Sequence, residues 1–221
     1  MVGVNSELLV VDGLSYRYPG SGRGIDGCSL EAHAGEVTVI RGASGSGKST
    51  LLACIGGILT PDRGTVRSVD RGGLPSPVHA TIVTQGAALF EQLTVWQNVA
   101  TAWGWPRPAR RARAIRALER FDVGRLADAL PRELSFGQRQ RVAIAGAVAG
   151  DAGVLLADEP TGSLDAVNAA RVTAALRAAA RGASGEPRIV VVVTHDDRLA
   201  READRVVELR ASAAPASEVT A

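Results

Sequence analysis

The chain has 221 residues, of which 46% are hydrophobic and 4% aromatic, and a formal charge of +2. That length suits one core with an attached lobe, and the apolar share buries a sizeable interior made mostly of Val, Leu, Ile and Ala. The near-neutral charge speaks against general nucleic-acid binding through a basic surface, and no apolar run reaches the roughly twenty residues that cross a bilayer. Cys28 and Cys54 lie in apolar surroundings, and neither they nor His33, His79 and His195 show metal-ligand spacing. Buried free thiols are therefore expected. The opening residues lack a secretory signal pattern, so a cytoplasmic protein is expected, with any membrane association made through a partner.

Residues 8–11 and 14–18 read as two strands, the second alternating, and Pro19-Gly20-Ser21-Gly22 supplies a turn. Tyr18, immediately before that turn, can present its ring to a purine or pack on the sheet. Residues 28–32 predict another strand, leading to a turn at Gly35-Glu36. The β-branched run 37–40 then enters Gly42-Ala43-Ser44-Gly45-Ser46-Gly47-Lys48-Ser49-Thr50. This stretch fits G-x-x-x-x-G-K-[ST] at every fixed position, and it opens onto helix-compatible residues 51–55. Glycines let successive N–H groups point inward, and the following helix adds its positive end. Lys48 can then neutralise β and γ phosphates while the Ser49 hydroxyl ligates Mg²⁺. A Gly/Ser-rich linker is the plain alternative, and the strand before the loop and the Lys-Ser-Thr after it weigh against that.

Farther on, 61–64 is a turn, 65–67 a short strand, 71–77 a loop, and 80–84 a buried-type strand ending at Gln85-Gly86. Gln85 stands where open α/β sheets bind ligands; its amide can reach a metal-bound water or simply cap the strand. Strand signals vanish from about Leu93 to Leu130, and Ile115, Leu118 and Phe121 recur at helical spacing among arginines. This predicts a helical lobe, with outer bounds of about 86–134. Trp96, Trp103 and Trp105 cluster at its start, as core packing or as a docking surface. Ser135 is a good N-cap, so the helix after Leu134-Ser135-Phe136-Gly137-Gln138 offers a second anion-binding end or an ordinarily capped one.

The apolar strand 153–157 ends in Asp158-Glu159-Pro160. Adjacent carboxylates at the tip of a buried strand are costly unless cations or hydrogen bonds meet them. A Mg²⁺–nucleotide complex would do so, with Asp158 serving the metal and Glu159 aimed at the attacking water. The turn 161–165 caps a helix running to about Arg181, and strand 189–194 terminates at His195-Asp196-Asp197. His195 can donate to a γ-phosphate or be structural. Residues 203–209 predict a short helix-to-strand piece, and 211–221 a disordered tail.

In this order the pieces resemble the nucleotide-binding domain of ATP-binding-cassette proteins, over about 8–209. Thr161-Gly162-Ser163-Leu164-Asp165 looks most like the branch with lipoprotein-release, macrolide-export and cell-division-type ATPases. The resemblance implies an α/β fold of the P-loop NTPase type across 1–221: a mostly parallel sheet flanked by helices, an N-terminal antiparallel β subdomain and an inserted helical subdomain. It also implies ATP and Mg²⁺ as cofactors, and an ATPase that drives a separate permease of export type. By resemblance, Tyr18 stacks on adenine, with Tyr16 second in line, and Gly42, Ala43, Ser44, Gly45, Ser46, Gly47, Lys48, Ser49 and Thr50 hold the phosphates. Gln85 would stand between Mg²⁺ and the membrane-subunit contact, with Ser49 and Asp158 also at the metal. Ser135, Gly137 and Gln138 would meet ATP held by the opposite subunit, and Asp165 would bridge the subunits. Glu159 would be the catalytic base, with Lys48 and His195 on the γ-phosphate. The implied partners are a second copy or related cassette, arranged head to tail, and integral membrane permease subunits on the inner face of the membrane; no nucleic acid is implied.

Two positions depart from the family pattern: Phe136 replaces a glycine of Leu-Ser-Gly-Gly-Gln, and Gly146 stands in Ala145-Gly146-Ala147 where Ala-Arg-Ala is usual. Slower turnover or weaker dimer closure is expected from them. A soluble non-transport cassette is disfavoured because the chain has one cassette and no long heptad run, and a non-hydrolysing module because Lys48, Asp158, Glu159 and His195 are all present.

Overall fold

The computed structural model describes residues 6–183 and 185–209; the expected disordered tail at 211–221 lies outside the described residues. In chain order, β1 (Ser6–Arg17) and β2 (Gly24–His33) precede β3 (Val37–Arg41), which runs into α1 (Lys48–Ile55). Next come β4 (Arg63–Asp70), the short β5 (Pro75–Ser76) and β6 (Ala80–Val83). The helical stretch holds α2 (Val95–Ala100), α3 (Arg111–Glu119) and α4 (Phe136–Ala149). After it, β7 (Val154–Asp158), α5 (Ala166–Ala180), β8 (Ile189–Val193), α6 (Asp197–Arg201) and β9 (Arg205–Glu208) follow.

Two sheets form. One is antiparallel, in the order β2-β1-β4-β5; the other is parallel, in the order β6-β7-β8-β3-β9. Every residue of β7 and β8 is buried, as their continuous apolar runs require of parallel strands covered on both faces. Side chains alternate between two cores. Val37, Val39, Leu155, Ala157, Val190 and Val192 face α4, α5 and the lobe. Ile40, Val154, Leu156, Val191 and Val193 face α1 and the antiparallel sheet. The register sets Val193 beside both Ile40 and Asp158, so the carboxyl ends of β3, β7 and β8 lie side by side. Ligands of open parallel sheets bind at such ends.

Several local expectations change. Residues 8–11 and 14–17 belong to one strand, with Tyr18 just beyond it: Gly13 turns at φ +58° and the pairing with β2 and β4 shifts register there, so β1 continues across the irregularity. The loop at 71–77 contains β5, because Pro75 and Ser76 extend the sheet edge beside Val69 and Ser68. The helical part of the expected 203–209 piece lies earlier, in α6, where the Asp196 side chain accepts from the Arg198 N–H as N-cap.

In the lobe, α3 buries Ala114 and Leu118, and Phe121 is buried just beyond its end. The three tryptophans divide. Trp96 and Trp103 pack against the core, and Trp103 donates from Nε1 to the Ala149 carbonyl at 2.8 Å beneath the Arg113 guanidinium. Trp105 is 77% exposed beside the half-open Phe90, so only it answers to the surface reading. At Gly146 a Cβ would stand 3.7 Å from Val99 Cα, an ordinary contact, so packing does not demand glycine there. The end of that helix is tied down by Arg188, which donates to the carbonyls of Ala147, Val148 and Gly150. Both cysteines are buried and free, and burial pushes both thiols up, Cys54 to about 11 with the Asp62 charge adding to it.

Candidate functional site

The loop between β3 and α1 is shaped by Gly47, which sits at φ +92° as the N-cap of α1. A Cβ there would come within 2.4 Å of Ile25 Cγ2 and 2.7 Å of the Gly24 carbonyl, so both conformation and space call for glycine. No side chain caps α1, and the first-turn N–H groups remain available to an anion. Lys48 folds back over the loop, its Nζ donating to the carbonyls of Gly42 at 2.8 Å and Ala43 at 2.9 Å. The Ser46 N–H donates to the Ala43 carbonyl at 3.1 Å, and the Ser46 hydroxyl is buried with no protein partner.

This loop forms one wall of a cleft of about 880 Å³. Ser44, Gly45, Gly47, Lys48, Ser49 and Thr50 line that wall; Gly42, Ala43 and Ser46 do not. Tyr18 lines the mouth. Its ring meets Tyr16 edge-on, with centroids 5.0 Å apart at 87°, so packing on a sheet residue and presenting a face to the cleft are compatible. Ser21 and Arg23 also line the mouth, in a turn closed by the Tyr18 N–H donating to the Arg23 carbonyl at 2.8 Å. Sequence reasoning passed over both. Their signal was only their place in the turn after Tyr18.

The opposite wall comes from the strand ends. Gln85 after β6, Asp158 at the end of β7, Glu159 and His195 all line the cleft. Glu159 has φ +49°, a left-handed conformation that non-glycine residues rarely hold without support. Its N–H donates to the Val193 carbonyl at 2.8 Å. Its Oε2 accepts from the Thr194 hydroxyl at 3.1 Å and from the His195 N–H at 3.2 Å, and its Oε1 lies 3.6 Å from His195 Nε2. Beneath, the Asp196 N–H donates to the Thr194 hydroxyl at 2.9 Å, and the Thr161 hydroxyl donates to Asp196 Oδ2 at 3.0 Å. Burial pushes the Asp196 carboxyl up, but the Arg198 N–H, the Thr161 hydroxyl and the Arg198 charge outweigh it and hold the pKa below the usual carboxylate value.

The second helix end is built otherwise. Ser135 caps α4 reciprocally: its hydroxyl accepts from the Gln138 N–H at 3.3 Å while its own N–H donates to Gln138 Oε1 at 2.8 Å. Ser135, Gly137 and Gln138 do not line this chain's own cleft. The half-exposed ring of Phe136 does, beside Gly162 and Ser163. A Cβ on Gly137 would stand 3.3 Å from Leu164 Cδ2, so the start of α4 touches the 161–165 turn. Asp165 also lies outside the cleft. It caps α5, accepting from the Asn168 N–H at 2.8 Å and the Asn168 side-chain amide at 2.7 Å. Those bonds, joined by the Val167 N–H and the Arg141 charge, hold its pKa below the usual value against the opposing effect of burial.

The ABC transporter family model matches residues 25–162 of the chain. An uncharacterized ABC transporter ATP-binding protein of Mycobacterium bovis is 40% identical over 216 residues, covering 91% of this chain and 64% of that protein. The chain thus spans about two thirds of the length of that relative, slightly less in fact, at 64%. A macrolide export ATP-binding/permease protein, MacB 1/2 of Paracoccus denitrificans, is 39% identical over 95% of this chain and 33% of its own length. Among solved structures, a dimeric post-hydrolysis state of the ATP-binding cassette MJ0796, bound to ADP and Pi, superposes with a TM-score of 0.78 at 28% identity, covering 93% of this chain and 97% of that one. Fold, cleft and matched sequence agree, and the chain belongs to the ABC transporter family.

Proposed function

We propose that this chain powers a membrane permease of export type by closing head to tail with a second copy around two Mg-ATP. The observation that carries the reading is the convergence of Lys48, Ser49, Asp158, Glu159 and His195 on one cleft at adjoining strand ends. The nucleotide supplies a phosphoanhydride whose cleavage needs charge stabilisation and an oriented water more than covalent catalysis. The α1 N–H groups and Lys48 bind the polyphosphate. Ser49, Gln85 and Asp158 offer hard oxygen donors suited to Mg²⁺, fewer than a full cage, as befits a metal whose shell phosphates and water complete. Tyr18 receives the adenine on its open face. Glu159 accepts the proton of the attacking water, and His195 donates to the γ-phosphate region beside it.

The protein's role in transport rests on its likeness to MacB, named as an export ATP-binding/permease protein, and on the 161–165 motif. Dimer closure is supported by the likeness to the dimeric MJ0796 cassette. Ser135, Gly137, Gln138 and Asp165, which lie outside the chain's own cleft, are the residues that would serve the partner copy's nucleotide. No described helix is long and apolar enough to cross a membrane, so the spanning part is assigned to the permease. Steady-state phosphate release tests the chemistry: Glu159→Gln lowers it at least about 100-fold, the contribution expected of a general base, and keeps nucleotide binding. Unchanged release would remove Glu159 from that role. Co-purification of an integral membrane protein with the tagged chain tests the partner.

A further inference from the structure

We propose that Thr194 is a positioning residue for Glu159, and that through Asp196 and Thr161 it links the carboxylate to the 161–165 turn. The inference rests on the reading of Glu159 as base. Thr194 is fully buried at the end of β8, so water cannot serve its hydroxyl. A hydroxyl carries one proton, and this one is given to Glu159 Oε2 at 3.1 Å, while a lone pair accepts the Asp196 N–H at 2.9 Å. Asp196 in turn accepts from the Arg198 N–H at 2.9 Å through Oδ1 and from the Thr161 hydroxyl at 3.0 Å through Oδ2. Thr161 is itself 3% exposed, and its carbonyl accepts the Leu164 N–H at 3.0 Å.

The bonds form a circuit, from the Glu159 side chain past the end of β8 to Asp196, and back to the hydroxyl of Thr161, two residues after Glu159. Such a circuit answers a local need. Glu159 holds a left-handed backbone, and its flexible side chain would swing without donors on its oxygens. Thr194 supplies a charge-assisted bond from a rigid, β-branched residue, the kind that fixes a reacting group within a fraction of an ångström.

The test uses Thr194→Val, which keeps shape and burial but removes the donor, and Thr194→Ser, which keeps the hydroxyl. Each is measured alone, and Val is also combined with Glu159→Ala, for kcat and KM of Mg-ATP hydrolysis, for affinity of a fluorescent ATP analogue, and for urea unfolding without nucleotide. Thr194→Val is expected to lower kcat about tenfold, the loss of one hydrogen bond to a charged group, while KM and analogue affinity stay within about twofold. Thr194→Ser restores most of the rate. Combined with Glu159→Ala, the Val substitution costs no further turnover, and its effect on the urea midpoint shrinks, because the bond it removes is already gone.

Full activity of Thr194→Val beside an inactive Glu159→Ala overturns the inference and leaves Glu159 as base. So does a faster Thr194→Val, which would mean that Thr194 restrains the base, or failure of Thr194→Ser to rescue. Full turnover in Glu159→Ala removes the base itself, and the positioning role with it. If Thr194→Val does not fold, Thr194→Ala removes the same donor without a branched side chain and is read by the same measurements.

Discussion

Helix α1 begins at Gly47 with no side chain over its end, whereas α4 begins at Ser135 with its end closed by the reciprocal Ser135–Gln138 bonds. Helices α5 and α6 resemble α4, since Asp165 and Asp196 occupy their first N–H groups. All four ends carry the same partial positive charge, yet only an end without a resident acceptor takes an anion while giving nothing up. The backbone N–H groups at the start of α1 are therefore open within one chain, although Lys48 must exchange its loop carbonyls. The α4 end is stable by itself, and it engages a phosphate only by trading away its internal partners. That difference is what the proposed arrangement needs, in which one chain half builds the site and a second copy would complete it.

The largest effect that bears on this contrast is expected from Lys48→Ala. It removes charge-assisted bonds at the open end and lowers affinity for a fluorescent ATP analogue about 100-fold, roughly 2.7 kcal/mol. Unchanged affinity would mean that α1 is not the phosphate site. At the closed end, Ser135→Ala deletes the cap and destabilises the fold by about 1 kcal/mol in urea unfolding. An unaltered midpoint would show that the cap contributes nothing.

A smaller change is expected from the combined Phe136→Gly, Gly146→Arg protein. If the two departures slow closure, its ATP turnover exceeds that of the parent about threefold, or roughly 0.7 kcal/mol of barrier. Equal rates would show that the departures are silent. The smallest effect concerns the carboxylate caps. The pKa values of Asp165 and Asp196 are lowered in the folded protein, so their stabilisation is fully present above the unfolded value of about 3.9 and is lost as pH falls through the folded values. Asp196→Asn accordingly flattens the fall in urea midpoint as pH drops below about 4. An unchanged slope would separate Asp196 from acid stability.

What could be read from the sequence follows from how local each signal is. The apolar runs at 154–157 and 189–193 are short, and the second is wholly β-branched, so they read as strands buried on both faces, and the loop before Lys48 states its own geometry through its glycines. The Ser135 cap is equally local. Other features depend on partners distant in the chain. Gly13 reads as a break between strands, yet pairing with β2 and β4 on both sides carries β1 through it. Nothing near Trp105 distinguishes it from Trp103; the lobe's packing leaves one outside and encloses the other. Arg23 reaches the cleft only because the turn folds beside Tyr18. The support of Glu159 by Thr194 spans 35 positions, and no periodicity records it.

Lys48 has a consequence for selectivity. Two of the three N–H groups of its ammonium already go to carbonyl oxygens of its own loop, so beyond the third an entering anion must outbid those neighbours. A guest with a single phosphate group offers few oxygens for that exchange, and a longer phosphate chain offers many. On the proposed reading, the loop would favour ligands by the number of oxygens presented, before the base of the nucleotide is consulted at all.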